Sequence, residues 1–177
     1  MGMNHGQAFG RIAIVGAGVI GNGWAARCLA HGLDVVVTDP DPAAEHRMHV
    51  AVNTAWQTLE KNSLAEGADR SKLHFTTDIE DAVAGADLIQ ENAPEREQVK
   101  RDLIARIDAI ADPDAIIASS TSGLLPTTLQ ADCAHSPSRV IVAHPFNPVY
   151  LLPLVELVAG EQTDTEALER AALYYRS

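Results

Sequence analysis

The chain has 177 residues, 46% of them hydrophobic, enough for one domain with its own core. Its formal net charge of −11 argues against nucleic acid and anionic membranes as partners, since both attract basic patches. No basic leader with an apolar core opens the sequence and no run of about 18 apolar residues occurs, so neither a secretory signal nor a membrane span is expected. Cys28 and Cys133 lie far apart, without metal-like or C-x-x-C spacing. Cys28 therefore reads as a small core side chain, and a reducing cytoplasm is the simplest setting.

Residues 1–9 read as a mobile tail. An apolar strand, Arg11-Ile12-Ala13-Ile14-Val15, then runs into Gly16-Ala17-Gly18-Val19-Ile20-Gly21, which fits G-x-G-x-x-G. A helical run over 19–31 ends at Gly32, and a second strand over 35–38 stops at Asp39. Each part has a physical task. Gly16 permits a tight turn, Gly18 lets backbone approach a pyrophosphate, and Gly21 lets helix pack closely on strand. Unpaired amides of the first helical turn, around Val19 and Ile20, point at the phosphates. Asp39 is placed to accept hydrogen bonds from the adenosine ribose. It would repel a 2′-phosphate, and the first base beyond it is Arg47, so NAD is expected rather than NADP.

Residues 41–64 read as a long helix with apolar positions at Val52, Ala55, Trp56 and Leu59. A short strand, Leu73-His74-Phe75-Thr76, precedes a brief helix capped by Thr77 or Asp78 and ended by Gly85. A strand over 86–90 runs into Glu91-Asn92-Ala93-Pro94-Glu95, and a helix over 96–111 places Val99, Leu103, Ile107 and Ile110 at helical spacing. Further strands are expected at 115–118, 140–143 and 154–158, and a last helix over Glu166, Leu168, Ala172 and Leu173. Strands alternating with helices define an α/β, Rossmann-type, doubly wound and mostly parallel sheet with helices on both faces.

Ligands of such sheets bind outside the carboxyl ends of the strands. Four segments begin there: the glycine turn, Glu91 to Glu95, Ser119-Ser120-Thr121-Ser122-Gly123, and His144-Pro145-Phe146-Asn147-Pro148. Glu91, Asn92, Ala93 and Glu95 lie where the nicotinamide ribose should run. A histidine directly after four apolar strand residues is suited to proton exchange near neutral pH. Glu156 interrupts the apolar run of the last strand. An unpaired carboxylate buried there would cost several kcal/mol, which a nearby imidazole would resolve; the alternative is a solvated face. His46 and His49 stand three apart on a helix with no third ligand nearby, so no metal site is expected.

The Ser119 to Leu124 run, the His144 to Pro148 run and Leu154-Val155-Glu156 resemble the NAD-binding domain of the L-3-hydroxyacyl-CoA dehydrogenase superfamily. The resemblance covers almost the whole chain from residue 10 onward. It implies a catalytic dyad of His144 and Glu156, a substrate-contacting serine at Ser122 and an asparagine at Asn147. It also implies a Rossmann domain over 10–160, NAD as cofactor, a small-molecule substrate, and a C-terminal helical domain that supplies dimer contacts and part of the pocket. The helix over 161–177 would lead into that domain, and the full-length protein would be a homodimer.

Within the superfamily, the helix over 41–64 is poor in lysine, with Lys61 alone near its end, whereas acyl-CoA-using members resemble one another in basic residues there. The Ser119 to Pro126, Asn147 to Leu154 and Gly21 to Arg27 runs are most similar to the L-carnitine dehydrogenase branch. The λ-crystallin and L-gulonate 3-dehydrogenase branch shares the Tyr-x-x-Pro-Leu-Val-Glu-Leu-Val ending and is the close rival. A quaternary ammonium substrate would suit an acidic protein and an aromatic face such as Phe146 or Tyr150, each of which could equally be a packing residue. A non-catalytic dinucleotide-binding or structural protein, like crystallins recruited from this fold, is the reading from another class. An intact His144 and Glu156 argue against it.

Overall fold

A computed structural model describes residues 9–61 and 64–176. Seven strands form one sheet: β1 (Arg11–Val15), β2 (Asp34–Thr38), β3 (Leu73–Thr76), β4 (Leu88–Glu91), β5 (Ile116–Ser119), β6 (Val140–Pro145) and β7 (Val155–Ala159). Their order is β3-β2-β1-β4-β5-β6-β7; every pairing is parallel except β6 with β7. The chain leaves β1 toward one edge and returns past it to β4. That reversal opens a crevice at the carboxyl ends of these two strands.

Among the described residues, six α-helices cover the sheet: α1 (Val19–Ala30), α2 (Ala44–Leu59), α3 (Ile79–Val83), α4 (Glu97–Ile110), α5 (Pro126–Gln130) and α6 (Thr165–Arg176). The strands are apolar on both faces, and alternate residues serve opposite layers. Ile12, Ile14, Ile116 and Ala118 pack with Trp24, Leu29, Met48, Trp56 and Tyr174 of α1, α2 and α6. Ala13, Val15 and Ile117 pack with Ile79, Val83, Ile104, Ile107 and Leu129 of α3, α4 and α5. Each fully buried Ile or Leu contributes about 1.5–3 kcal/mol, so the two layers fix the sheet that carries the strand-end loops.

Several boundaries differ from the sequence reading. The helix expected over 41–64 begins at Ala44, because Asp41 accepts from the Ala43 amide at 2.9 Å and turns the chain first. It ends at Leu59 with a turn through Glu60 and Lys61; residues 62 and 63 lie outside the described part. Asp78, rather than Thr77, caps α3 by accepting from the Glu80 amide at 2.9 Å. The short α5, with Pro126 at its start, was not expected: two threonines and a single turn give no readable periodicity. Of the expected tail, residues 1–8 lie outside the described part. Phe9 is not tail-like, since its ring meets Tyr174 edge-on with centroids 4.9 Å apart.

Candidate active site

The glycine turn joins β1 to α1 at the crevice. Gly16 has φ +99°, and a Cβ there would lie 2.8 Å from the Asn92 carbonyl oxygen. A Cβ on Gly21 would lie 1.9 Å from the Gly16 carbonyl oxygen, an impossible approach. A Cβ on Gly18 would meet nothing within 4 Å. Two glycines are thus required by the fold itself, while the third keeps open space that a ligand can enter. Gly18 also caps α1 with no side-chain hydrogen bond, and Val19 is 74% exposed, so the first-turn amides face that space.

Asp39 stands at the end of β2 beside this turn. Its Oδ2 accepts from the Ala17 amide at 3.0 Å and its Oδ1 from the Asp41 amide at 3.0 Å. Each carboxylate oxygen keeps a second lone pair, so the side chain can brace the turn and still accept from ribose hydroxyls. The next base along the chain, Arg47, is held by Asp41 at 2.6 Å. The two acids and the occupied guanidinium leave no cationic receptor for a 2′-phosphate. The open cradle over Gly18, the helix amides and Asp39 together fit a dinucleotide.

The β4 loop departs from expectation at Glu91. Its side chain points inward and is fully buried, where Lys100 Nζ donates to both carboxylate oxygens at 2.8 and 3.0 Å. Ser119 Oγ and the Ala93 amide, the latter at 2.6 Å, complete its hydrogen bonds. Glu91 therefore anchors the loop, and the crevice is lined at this point by the backbone of Asn92 and Ala93. Lys100 was not singled out in the sequence, although its spacing from Ile104 and Ile107 puts it on the buried face of α4. Glu95, expected along the nicotinamide ribose, accepts from Thr121 Oγ1 and the Gly123 amide and lies 3.5 Å from Lys100. Partial burial raises its pKa, but the Thr121 bond and the Lys100 charge outweigh that and hold it below the ordinary carboxylate range.

Beyond the crevice, antiparallel pairing of β6 and β7 sets His144 directly opposite Glu156. His144 Nδ1 and Glu156 Oε2 are 2.9 Å apart. The burial expected of Glu156 is not found. Glu156 is on the outermost strand with 59% of its side chain exposed, so no buried charge demands the partner; strand register alone supplies it. With Nδ1–H donating to the carboxylate, Nε2 of a neutral ring is left as the proton acceptor. Ser122, Thr121, His144 and Glu156 line one cleft of about 150 Å³. Asn147 lies in the exposed loop after β6 and is not among the residues lining it. Phe146 tilts against the His144 ring with centroids 5.3 Å apart, and Tyr150 packs against the core. His46 and His49 are exposed on α2, and no group of three or more metal-ligating side chains occurs among the described residues.

A crevice at the sheet's reversal, with an open glycine cradle and an acid at the end of β2, defines a dinucleotide-binding Rossmann domain. Residues 11–177 match the family described as the 3-hydroxyacyl-CoA dehydrogenase, NAD binding domain, and the chain belongs to that family. It is 55% identical over 167 residues to an L-carnitine dehydrogenase of Bacillus cereus, covering 94% of this chain and 51% of that protein. It is 56% identical over 165 residues to the L-carnitine dehydrogenase of Pseudomonas aeruginosa, covering 93% and 51%. Among solved structures, 3-hydroxybutyryl-CoA dehydrogenase from Escherichia coli superposes with a TM-score of 0.86 at 30% identity, covering 96% of this chain and 37% of that one. An NAD⁺-dependent dismutase, 5-formyl-3-hydroxy-2-methylpyridine 4-carboxylic acid 5-dehydrogenase, gives 0.87 at 38% identity, covering 96% and 55%. The chain spans about half the length of the dehydrogenases it matches in sequence. Among the described residues, no helix is long and apolar enough to cross a membrane.

Proposed function

We propose that this chain is the cofactor-binding part of a dehydrogenase that oxidises the 3-hydroxyl of L-carnitine to 3-dehydrocarnitine. The observation that carries the chemistry is the His144–Glu156 pair, aligned by strand register and sharing a cleft with Ser122. The sequence likeness to L-carnitine dehydrogenases supports the substrate. NAD, when bound, accepts the hydride from the carbinol carbon.

The remaining work falls to side chains. Gly16, Gly18 and Gly21, with the amides of Val19 and Ile20, hold the pyrophosphate; Asp39 holds the adenosine ribose. The backbone of Asn92 and Ala93, with Glu95 nearby, lines the path toward the nicotinamide. His144 takes the hydroxyl proton at Nε2, while Glu156 fixes the tautomer and stabilises the imidazolium that forms. Ser122 holds the substrate oxygen from across the cleft. Asn147, in the exposed loop beside the cleft's histidine strand, would hydrogen-bond the substrate oxygen or orient the dyad once the C-terminal domain closes the pocket, and the exposed Phe146 ring beside His144 offers a face to the trimethylammonium group.

The reading assigns residues 10–160 to the Rossmann domain and 161–177 to a helix leading into a C-terminal helical domain that completes the pocket. We further propose a homodimer in the cytoplasm. The free, buried Cys28 suits a reducing compartment, burial pushing its thiol pKa up to about 11. The test is NAD⁺ reduction by the whole protein offered L-carnitine, L-gulonate or L-3-hydroxybutyryl-CoA. Preference for L-carnitine is expected, and preference for either rival would reassign the substrate.

A further inference from the structure

A chain of polar side chains crosses the interior behind the cofactor crevice. Tyr175 of α6 donates through its hydroxyl to Gln90 Oε1. Gln90, 1% exposed on β4, donates from Nε2 to Ser120 Oγ at 2.8 Å and, at 3.4 Å, to the carbonyl of Ala143. Ser120 Oγ also receives the Trp24 indole N–H at 3.2 Å. It then donates to Asn92 Oδ1 at 2.7 Å. The Asn92 amide closes the circuit by donating to the Gln90 carbonyl at 2.8 Å.

The direction of every bond is fixed. An indole can only donate, so the Ser120 proton goes to Asn92; the Ala143 carbonyl can only accept, so Gln90 turns its amide nitrogen to Ala143 and Ser120 and its Oε1 to the phenol. Burial raises the Tyr175 pKa well above the ordinary range, which keeps the hydroxyl a donor. The circuit joins both sides of the site. Asn92 sits against Gly16, with its carbonyl oxygen where a Cβ would otherwise lie, and its amide donates to the Val15 carbonyl at 2.7 Å. Ala143 immediately precedes His144.

We infer that Gln90 and Tyr175 are positioning residues, holding the Asn92–Ala93 wall of the cofactor crevice in register with the strand that carries His144. The inference rests on the NAD reading of that crevice but not on the identity of the substrate. Tyr175→Phe removes one hydroxyl and leaves Gln90 Oε1 buried without its donor. The amide is then free to turn over, and Ser120 loses its alignment toward Asn92.

The test measures NADH affinity of the protein by fluorescence titration, alongside the indole N–H resonance of Trp24 by NMR. Tyr175→Phe keeps the ring that lies 5.4 Å from that of Trp24 and removes only the hydroxyl; it should weaken NADH about tenfold, the scale of one unsatisfied buried polar group, and shift the Trp24 resonance through Gln90 and Ser120. Ser120→Ala should weaken it similarly, and Ser120→Thr, which keeps the hydroxyl, should restore it. Tyr174→Phe, whose hydroxyl meets the Cys28 thiol at 3.1 Å, should leave NADH affinity unchanged. Parent-like affinity in both Tyr175→Phe and Ser120→Ala would overturn the inference. So would equal weakening by Tyr174→Phe, which would mean simple loosening of α6. A parent protein that does not bind NADH would instead overturn the cofactor reading, and the inference with it.

Discussion

Lys100→Met tests how the β4 loop is held. The lysine side chain is 2% exposed and that of Glu91 is not exposed at all, and both carboxylate oxygens receive Nζ. Methionine fills much of the lysine stem's volume, so the change removes a charge rather than opening a cavity. Glu91 would keep the bonds from Ser119 and Ala93 but lose the one cation within ion-pair distance of it among the described residues. Breaking one side of a buried pair costs about 3–5 kcal/mol. In a domain of this size each kcal/mol moves the melting midpoint by about 2–4 °C, so a fall of about 6–20 °C is expected. The exposed Arg106 and Glu80, 3.9 Å apart, supply the control, and Arg106→Met should change little. Adding Glu91→Met to Lys100→Met should recover much of the loss, since an apolar pair of similar volume carries no stranded charge. Thermal unfolding followed by circular dichroism measures all three. A midpoint in Lys100→Met no lower than in Arg106→Met would refute the argument that this lysine holds Glu91.

The glycine turn separates folding from binding. Gly21→Ala should prevent a stable fold because its Cβ would overlap the Gly16 carbonyl, whereas Gly18→Ala should melt like the parent yet bind NADH at least tenfold more weakly, about 1.4 kcal/mol. Parent-like NADH affinity in Gly18→Ala would remove the pyrophosphate from that space. Asp39→Ala should narrow the preference for NADH over NADPH by removing repulsion of the 2′-phosphate, read by calorimetry with both cofactors. Glu156→Gln should cut turnover by the whole protein by roughly 10² while leaving NADH affinity intact. Full activity in that variant would reduce Glu156 to a strand residue.

The sheet was legible because its strands are short apolar runs that end in glycine, acid or hydroxyl residues, and Arg11–Val15 and Leu73–Thr76 fall where the pattern put them. The burial expected of Glu156 left its pairing with His144 open against a solvated face, and the family resemblance is what implied the dyad; the exposed edge strand removes the ground of burial. The sequence carries no direct sign that β7 runs antiparallel to β6, and that direction is what makes them opposite neighbours. Glu91 was misplaced because period-two alternation fixes a residue's face only within a regular strand, and this one sits at the strand's last position. Lys100 was visible in principle, at helical spacing from Ile104 and Ile107 on α4. The circuit through Trp24, Gln90, Asn92, Ser120 and Tyr175 was not, since it draws on α1, β4, α6 and two strand-end loops that only the fold brings together.

The central claim is that His144 acts as the base in oxidation of a 3-hydroxy acid on an NAD-binding domain. Its most direct measurement follows NADH formation by the whole protein with saturating NAD⁺ and L-carnitine, for the parent and for His144→Ala, with NADH affinity titrated on the same samples. The account predicts steady turnover in the parent, turnover at background in His144→Ala, and NADH affinities that agree within about twofold, well under the tenfold that 1.4 kcal/mol represents. Robust turnover without the imidazole, or no turnover of L-carnitine by a parent protein that binds NADH normally, would contradict it.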